Sequence, residues 1–427
     1  MNTLEDGAPV IATAAATPPS GPSRRVSALT RRRFLTWSGV AAAGALATGG
    51  VALSWERLTR AAYETPLNPS SGVLVIVTLY GGNDGLNAVI PIADPRYASA
   101  RAHLAYAPGE VLPLTDGLAL NPGLTGLKSL YDNGSLAIVN GVGYPTPDRS
   151  HFVSMGIWQT GSPSESVPTG WLGRWLDLAP DPVKAVSLDP VLPPLLAGAT
   201  TAGASLSRSA LALPAGAAGT AVRGLARSSS DDGVWQAACA RSIGELVTAS
   251  DTLHDVVVEA QPSGDKGSSG LAEQLDLVAS LVELGVPTRV YSVSLGGFDT
   301  HADERGRQQS LLTELDRALS GFAGRLGRTD RGSQVVTMVY SEFGRRVVAN
   351  ASQGTDHGTA GPMFLMGRGV VGGLHGQQPS LTDLDGGDLR SHVDFRDVYA
   401  ATLDRVLGAD PGAVLSGWST SLDGLLS

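Results

Sequence analysis

One βαβ unit, at residues 289–340, constrains the fold of this 427-residue chain more than any other feature. A strand predicted at Arg289–Leu295 is followed by a stretch with helical periodicity at Asp303–Leu326 and by an apolar run at Val335–Tyr340. Strands joined by a helix pair in parallel, and uninterrupted apolar strands are covered on both faces of a sheet. The unit predicts an α/β fold with a mostly parallel sheet flanked by helices.

The rest of the chain extends this α/β pattern. Further strands are predicted at Val73–Tyr80, Leu136–Asn140 and Met363–Met366, and further helices at Gly123–Asp132, Val234–Ala260, Leu271–Leu284 and Val398–Leu407. Residues 185–232 are rich in Ala, Gly, Ser, Leu and Pro, which fits either an irregular cap or a flexible excursion. We therefore expect a single domain over residues 63–427, with a cap insertion around 162–270.

Polar clusters follow the predicted strands and suggest a metal site. The carboxyl ends of parallel strands are where open α/β sheets place their ligands, and mixed carboxylate and imidazole ligands suit one or two zinc or manganese ions. The candidate ligands are Asp84, Asp299, His301, Glu342, Asp356, His357 and His375. Simpler explanations also exist: Asp84 fits an Asn-Asp-Gly turn, and the glycine-flanked Asp356-His357 pair fits a solvated loop.

Ser150 opens a predicted helix after the second strand, in the sequence DRSHF at residues 148–152. A serine at a helix start is usually an N-cap, but the same position suits a nucleophile that attacks phosphorus or sulfur. The adjacent His151 is a candidate metal ligand or base. A Ser-His-Asp hydrolase built on these two residues is disfavoured, because the chain lacks a Gly-x-Ser-x-Gly elbow and adjacent Ser and His rarely face each other.

Charge and cysteine content exclude other classes of protein. The net charge is −9 and no run of Arg or Lys lies in the body of the chain, which argues against a nucleic-acid partner. The single cysteine, Cys239, excludes an internal disulfide and a cysteine-based zinc knuckle.

The N-terminal residues 1–62 predict an export signal. Residues 1–30 fit a disordered leader, and Thr30–Thr36 contains the pattern Arg-Arg-x-Phe-Leu of the twin-arginine signal, before a weakly apolar stretch at Trp37–Leu53. That stretch is too short and weak for a comfortable membrane span, and cleavage is expected at the Ala45-Leu46-Ala47 site or nearer Ala62. We expect the twin-arginine translocase as a transient partner and a periplasmic, cell-wall or extracellular location, with no stable membrane span after cleavage.

The motifs GGNDGLN, DRSHF, GGFDTH, SEFGRR and GTDHG, behind the twin-arginine leader, resemble an exported bacterial family, number 1501 of the domains of unknown function. That family is related to the alkaline phosphatase-like superfamily, which includes phosphatases, sulfatases and cofactor-independent phosphoglycerate mutases. The resemblance covers residues 72–425 and implies an alkaline phosphatase-like core.

The resemblance also implies roles for individual residues. Asp84 matches a bridging metal ligand and Ser150 the nucleophile, while Asp299, His301 and His375 match ligands of the first metal and Asp356-His357 those of the second. The chain departs from the superfamily where Ser341-Glu342, and not an Asp-His pair, directly follows its strand. Glu342 therefore either replaces the aspartate as a ligand or orients a ligand from behind.

Together these observations predict a metal-dependent hydrolase that acts on a phosphate or sulfate ester, either a small molecule or a polymer. The alternative is a metal-binding protein without catalytic activity that serves in recognition or assembly.

Overall fold

The computed structural model describes residues 55–164, 167–189, 191–206 and 270–427. In this part of the chain the strands are Val73–Leu79 (β1), Val89–Ile90 (β2), Leu112–Pro113 (β3), Ala119–Leu120 (β4), Leu136–Gly143 (β5), Ala185–Ser187 (β6), Ala204–Ser205 (β7), Val290–Leu295 (β8), Val335–Ser341 (β9), Gly361–Gly367 (β10), Gly373–Gly376 (β11), Leu384–Asp385 (β12), Asp388–Leu389 (β13) and Val393–Asp394 (β14). The α-helices are Trp55–Glu64 (α1), Gly85–Ala88 (α2), Pro95–Arg101 (α3), Thr125–Asp132 (α4), His151–Thr160 (α5), Trp171–Asp177 (α6), Gly270–Leu284 (α7), Glu304–Leu326 (α8), Phe395–Thr402 (α9) and Pro411–Val414 (α10).

A nine-stranded sheet forms the centre of the protein, in the order β11-β5-β10-β9-β1-β8-β6-β7, with β14 beside β5. Every pairing in it is parallel except the two made by β10, which runs antiparallel to β5 and β9. Strands β2, β3 and β4 form a small antiparallel sheet, and β12 and β13 form a hairpin. The predicted mostly parallel α/β fold is confirmed.

Strand β1 explains why the sheet is covered on both faces. Val73, Val75 and Val77 pack into one apolar core, and Leu74 and Ile76 pack into the other. Side chains alternate between the two faces of a strand, so an unbroken apolar run requires helices on each side. Helices α4, α7 and α8 cover the first face, while α5, α6 and α9 cover the second.

The predicted βαβ unit is present, with one difference in topology. Strands β8 and β9 both pair in parallel with β1, which lies between them, so helix α8 joins strands that are not neighbours. Their carboxyl ends nevertheless reach the same edge of the sheet. The strand at 363–366 is also present as β10, and its antiparallel direction brings its first residue to that edge.

Parts of the predicted leader and of the predicted cap pack into the folded domain. Helix α1 begins inside the predicted leader, and its Leu58 is fully buried in the core, whereas residues 1–54, including the twin-arginine pattern, lie outside the described residues. Within 162–270, strands β6 and β7 extend the central sheet and α6 packs against it. The rest of that stretch, with the predicted helix at 234–260 and Cys239, lies outside the described residues.

Candidate metal centre

Four chain segments meet at the carboxyl edge of the sheet. The loop after β5 leads to His151, the loop after β8 carries Asp299 and His301, and β9 runs directly into Glu342. The fourth segment, just before β10, carries His357. Because β1, β5, β8 and β9 are mutually parallel, segments far apart in the chain converge here.

Asp299 lies at the middle of three imidazole rings. Its Oδ1 is 3.0 Å from Nε2 of His301 and 3.2 Å from Nε2 of His357, and its Oδ2 is 3.5 Å from Nε2 of His151. Nε2 of His301 and Nε2 of His357 are 2.9 Å apart. We call Asp299, His151, His301 and His357 the centre.

An oxygen lies behind each ring, and in His151 and His357 it sets the position of the ring proton. Nδ1 of His151 lies 2.9 Å from Oε1 of Glu342, and Nδ1 of His357 lies 2.8 Å from the carbonyl oxygen of Arg149. Nδ1 of His301 is 3.6 Å from Oδ1 of Asp356. A carbonyl or an ionised carboxylate only accepts a hydrogen bond, so in neutral His151 and His357 the proton belongs on Nδ1 and the lone pair of Nε2 is available at the centre.

The environment also shifts the pKa values of the centre. Burial alone would raise the pKa of the Asp299 carboxyl, but the hydrogen bond from Arg345 and the contact with His357 outweigh it and lower the pKa to about 2. Burial lowers the pKa of His357, which favours the neutral, ligating imidazole. The hydrogen bond to Glu342 raises the pKa of His151 and makes its ring a stronger base.

This arrangement fits a divalent cation. Nε2 of His301, Nε2 of His357 and Oδ1 of Asp299 form a triangle with sides of 2.9, 3.0 and 3.2 Å. Ligand atoms on a tetrahedral ion with bonds of about 2.0–2.1 Å lie about 3.3 Å apart. Two imidazole lone pairs 2.9 Å apart repel each other unless a proton or a cation lies between them. The donor set of imidazole nitrogens with one carboxylate oxygen is typical of such ions.

Arg345 is a residue of the site that the sequence did not assign, although it lies in the SEFGRR motif. Its side chain is fully buried, and its guanidinium donates to Oδ1 of Asp299 at 2.8 Å. It also donates to the carbonyl oxygens of Gly82, Phe298 and Thr355, at 2.7, 3.0 and 3.0 Å. The Arg345 guanidinium thus connects three loops, and these contacts are visible only in the folded structure.

The Phe343 ring packs against two of the imidazole rings. Its ring centroid is 5.0 Å from that of His151 and 4.7 Å from that of His357. Gly82 has a φ of +75°, and a Cβ there would lie 2.2 Å from the Phe343 ring, so this loop position requires glycine. The apolar ring limits the rotation of both imidazoles.

Glu342 holds a ligand from behind and does not face the centre. Besides His151, its carboxylate accepts hydrogen bonds from the Gly81 N–H at 2.8 Å and the Ser341 hydroxyl at 3.1 Å. Asp356 is also peripheral: its carboxylate is 61% exposed, and it accepts a hydrogen bond from the Asn350 amide at 3.3 Å. Of the adjacent pair Asp356 and His357, only the histidine points into the centre.

The structure places Asp84 elsewhere, which corrects its expected place among the ligands. Its carboxylate is fully buried, pairs with Arg101 and accepts the Leu86 N–H at the start of α2. Although Asp84 follows β1 at the same edge of the sheet, the buried Arg101 neutralises its charge. The hydrogen bond from the Leu86 N–H, two residues further on, agrees with the Asn-Asp-Gly turn that the sequence suggests.

His375 also lies away from the centre. It is part of β11, which pairs with β5 at the end of the sheet, and its Nε2 lies 2.7 Å from the carbonyl oxygen of Val371. The structure therefore does not bring together the ligands of a second ion among the described residues.

Ser150 is exposed and precedes the first residue of α5, but its side chain makes no capping hydrogen bond. Its two neighbours both contact the centre, Arg149 through its carbonyl oxygen and His151 through its ring. His151 has Nδ1 on Glu342 and Nε2 toward Asp299, so the ring does not serve as a base in a Ser-His-Asp triad.

The fold and the centre together define an α/β protein with a histidine-rich candidate metal site at the carboxyl edge of its sheet. The sequence model of a family described as "Protein of unknown function (DUF1501)" matches residues 244–420. The resemblance stated above is confirmed over this stretch, which includes Asp299, His301, Glu342 and His357 but not His151. No curated protein matches the chain.

Solved structures give weaker similarities. A protein in the alkaline phosphatase superfamily from Vibrio parahaemolyticus is 10% identical with a TM-score of 0.37, over 86% of this chain and 77% of the other. The lipoteichoic acid synthase LtaP from Listeria monocytogenes is 9% identical with a TM-score of 0.36, over 86% and 81%. The zinc complex of the C-terminal periplasmic domain of EcEptC from Escherichia coli is 9% identical with a TM-score of 0.36, over 71% and 77%.

A search of the described residues for membrane spans gave no helix with the length and apolar character needed to cross a bilayer.

Proposed function

We propose that this protein is an exported, metal-dependent hydrolase of phosphate or sulfate esters, with zinc or manganese in the centre. The observation that carries the proposal is the common orientation of three imidazoles, whose Nε2 atoms all face Asp299. In two of them Nδ1 is also hydrogen-bonded to an oxygen. The resemblance of the motifs to the alkaline phosphatase-like superfamily favours phosphate and sulfate over other esters.

The residues of the centre would hold one divalent ion. Asp299, His151, His301 and His357 supply the ligand atoms, while Glu342 and Arg345 keep two of these side chains in place. The bound ion would act as a Lewis acid on an oxygen of the phosphoryl or sulfuryl group. The side chains of Asp299 and His301 are 47% and 44% exposed, so a substrate can approach from solvent.

Ser150 is the proposed nucleophile. Its hydroxyl is not used for capping, and its chain position lies between two residues that contact the centre. The first backbone N–H groups of the ten-residue helix α5 lie beside it and can donate to an anionic group. A serine hydroxyl needs activation, which the ion held by the centre would supply.

The test combines metal analysis with turnover of aryl phosphate and aryl sulfate. Ser150→Ala should lose turnover and keep its bound metal, whereas His357→Ala should lose both. Matched controls are Ser99→Ala and His103→Ala, which change exposed residues of the same types in and just after α3.

Three results would contradict this function in different ways. Full turnover in Ser150→Ala would move the nucleophile elsewhere. Bound metal without turnover of either ester would favour the alternative, a non-catalytic metal-binding protein. Unchanged metal content in His357→Ala would refute the centre itself.

A further inference from the structure

Two arginines, Arg149 and Arg346, lie beside the centre. Their backbones contact the segment that carries His357, but their side chains do not contact the residues of the centre. Both guanidiniums contact one carboxylate, Asp388 of the β12–β13 hairpin. Arg149 Nη2 donates to Oδ2, and Nε of Arg346 is 3.5 Å from Oδ1. Asp388 is completely buried, whereas the arginine side chains are 46% and 37% exposed. We call Arg149, Arg346 and Asp388 the arginine clamp.

The clamp carries one uncompensated positive charge. Two guanidiniums meet a single carboxylate, and like charges held together in this way attract an anion. Each guanidinium has five N–H donors. Among the described residues, Arg149 donates to Asp388, and Arg346 donates to the carbonyl oxygen of Gly386 at 3.3 Å. Most of the donors therefore remain available on the exposed side.

The backbone positions of the two arginines place the clamp next to the centre. The carbonyl oxygen of Arg149 accepts from Nδ1 of His357, on the edge of that ring opposite Nε2. The backbone N–H of Arg346 donates to the carbonyl oxygen of Asp356 at 3.0 Å. Both side chains thus start behind the Asp356–His357 segment, with the His357 ring between Arg149 and the position of the ion.

We propose that the arginine clamp binds a second anionic group of the substrate, separate from the group that reacts at the centre. This inference rests on the proposed function for the reacting group. The substrate class is then an ester that carries a further oxyanion, such as a carboxylate, phosphate or sulfate. Arginine suits this task, because its planar fork binds oxyanions through two parallel hydrogen bonds.

The experiment measures binding of phosphonates that cannot be hydrolysed, so it does not depend on turnover. Phosphonates with a carboxylate at the end of a chain of one to five carbons are titrated into the full-length protein as purified. Each is compared with its methyl-ended counterpart. The best carboxylate should bind at least about tenfold more tightly than its counterpart, because a charge-assisted, bidentate hydrogen bond adds that much affinity.

Arg149→Gln and Arg346→Gln should each reduce this ratio toward one. Arg390→Gln is the matched control, because Arg390 is 47% exposed, lies on the adjoining segment and, among the ionised groups of the described residues, contacts only the exposed Asp383 and Asp385. It should keep the wild-type ratio. Thermal unfolding of each variant identifies one that does not fold, in which case the other arginine variant decides.

Equal affinities of the paired phosphonates in the wild type would overturn the clamp, as would a preference that survives in both arginine variants. A drop in thermal stability without a change in the ratio would show that the arginines only attach the hairpin. If the ratio behaves as expected but no ester is hydrolysed, the proposed function fails and the clamp stands.

Discussion

At the scale of single residues, the centre depends on partners that never face the ion. The Glu342 side chain is only 2% exposed and satisfies its carboxylate with three donors, one of which is the ring of His151. A carboxylate behind a ligating imidazole fixes its orientation and raises its basicity. In the proposed metal centre, Glu342 would therefore affect metal affinity although it contributes no ligand atom.

Glu342→Gln should lower metal affinity by about 10–100-fold, the usual effect of removing such a partner. Glutamine has nearly the same volume, but it lacks the negative charge, and its NH₂ group would face other donors. Competition with a coloured chelator measures the affinity. Glu283→Gln, which changes a partly exposed partner of Arg325, serves as the control. Wild-type affinity in Glu342→Gln would show that His151 is held in another way.

Glu304 is a second buried carboxyl beside the site. Burial, followed by the charge of nearby Asp84, raises the pKa of the Glu304 carboxyl to about 9. Its Oε2 accepts the Thr355 hydroxyl at 2.6 Å, while Oε1 has no donor among the described residues. A protonated Glu304 explains this geometry, because a carboxylic acid at Oε1 can donate toward Asp84.

This shift makes stability depend on pH in a defined direction. Between the ordinary pKa near 4.5 and the folded pKa near 9, the folded state holds a proton that the unfolded state has lost. The contribution of Glu304 is therefore complete below about pH 4.5 and falls as pH rises toward 9. Glutamine mimics the protonated acid and does not titrate. The free energy of unfolding of Glu304→Gln, relative to that of wild type, should therefore increase by at least about 1 kcal/mol from pH 6 to pH 8.

Chemical denaturation at the two pH values gives the difference. Glu110→Gln is the control, because hydrogen bonding to the Ala107 N–H lowers the pKa of that exposed carboxyl and its titration lies below this range. A stability difference between Glu304→Gln and wild type that does not change with pH would mean that Glu304 is ionised in the folded protein.

At the scale of elements, the loop between β9 and β10 shows why glycine flanks the Asp356-His357 pair. Neither Gly354 nor Gly358 has a positive φ, so a left-handed backbone conformation is not what requires glycine there. A Cβ on Gly354 would lie 2.3 Å from the carbonyl carbon of His301, and one on Gly358 would lie 2.5 Å from that of Arg345. The glycines allow two ligand-bearing loops to pack backbone against backbone.

Gly354→Ala should therefore separate the His301 and His357 loops, reduce metal affinity and lower the melting temperature. The close contact involves backbone atoms, which cannot rotate away as a side chain would. Metal titration and thermal unfolding of the same sample test this. Gly306→Ala, on α8 with open space around its Cβ position, should be neutral or stabilising by about 0.5–1 kcal/mol. Equal metal affinity in Gly354→Ala and wild type would contradict this role.

The elements were largely predictable from the sequence, and the side-chain directions were not. An apolar run identifies β1 as a buried strand, and the strand-helix-strand pattern identifies β8 and β9 as parallel strands. Their shared edge brings Asp299, His301 and Glu342 together. Whether a residue at that edge faces the centre depends on non-local partners. Arg101 draws Asp84 away, and the pairing of β11 with β5 carries His375 to the end of the sheet. Neither of these pairings can be inferred from the periodicity or the spacing of residues in the sequence.

At the scale of the whole molecule, the site joins distant parts of the chain and bears on the predicted export route. His151 and Glu342 are 191 residues apart, and Arg149 and His357 are 208 apart. The twin-arginine pattern at residues 30–36 lies outside the described residues and remains a prediction. That route transports folded proteins, which agrees with a centre assembled only in the complete fold.

Replacing Arg31 and Arg32 together by lysine should leave the precursor in the cytoplasm, because the translocase reads the paired guanidiniums. Fractionation of cells followed by immunodetection measures the distribution. The same double replacement at Arg24 and Arg25, which lie upstream of the pattern, is the control and should not change export. Undiminished export of the Arg31/Arg32 variant would refute the twin-arginine route.

The long separation between the ligands in the chain has a consequence for folding. All four ligand side chains meet only when β5, β8 and β9 are in register, so an unfolded chain presents no comparable site. An ion that binds the folded state alone stabilises it in proportion to the logarithm of its free concentration over its dissociation constant. The supply of metal in the cytoplasm would then set the fraction of chains that are folded when they reach the translocase. Metal scarcity would act as a checkpoint that retains the protein before it leaves the cell.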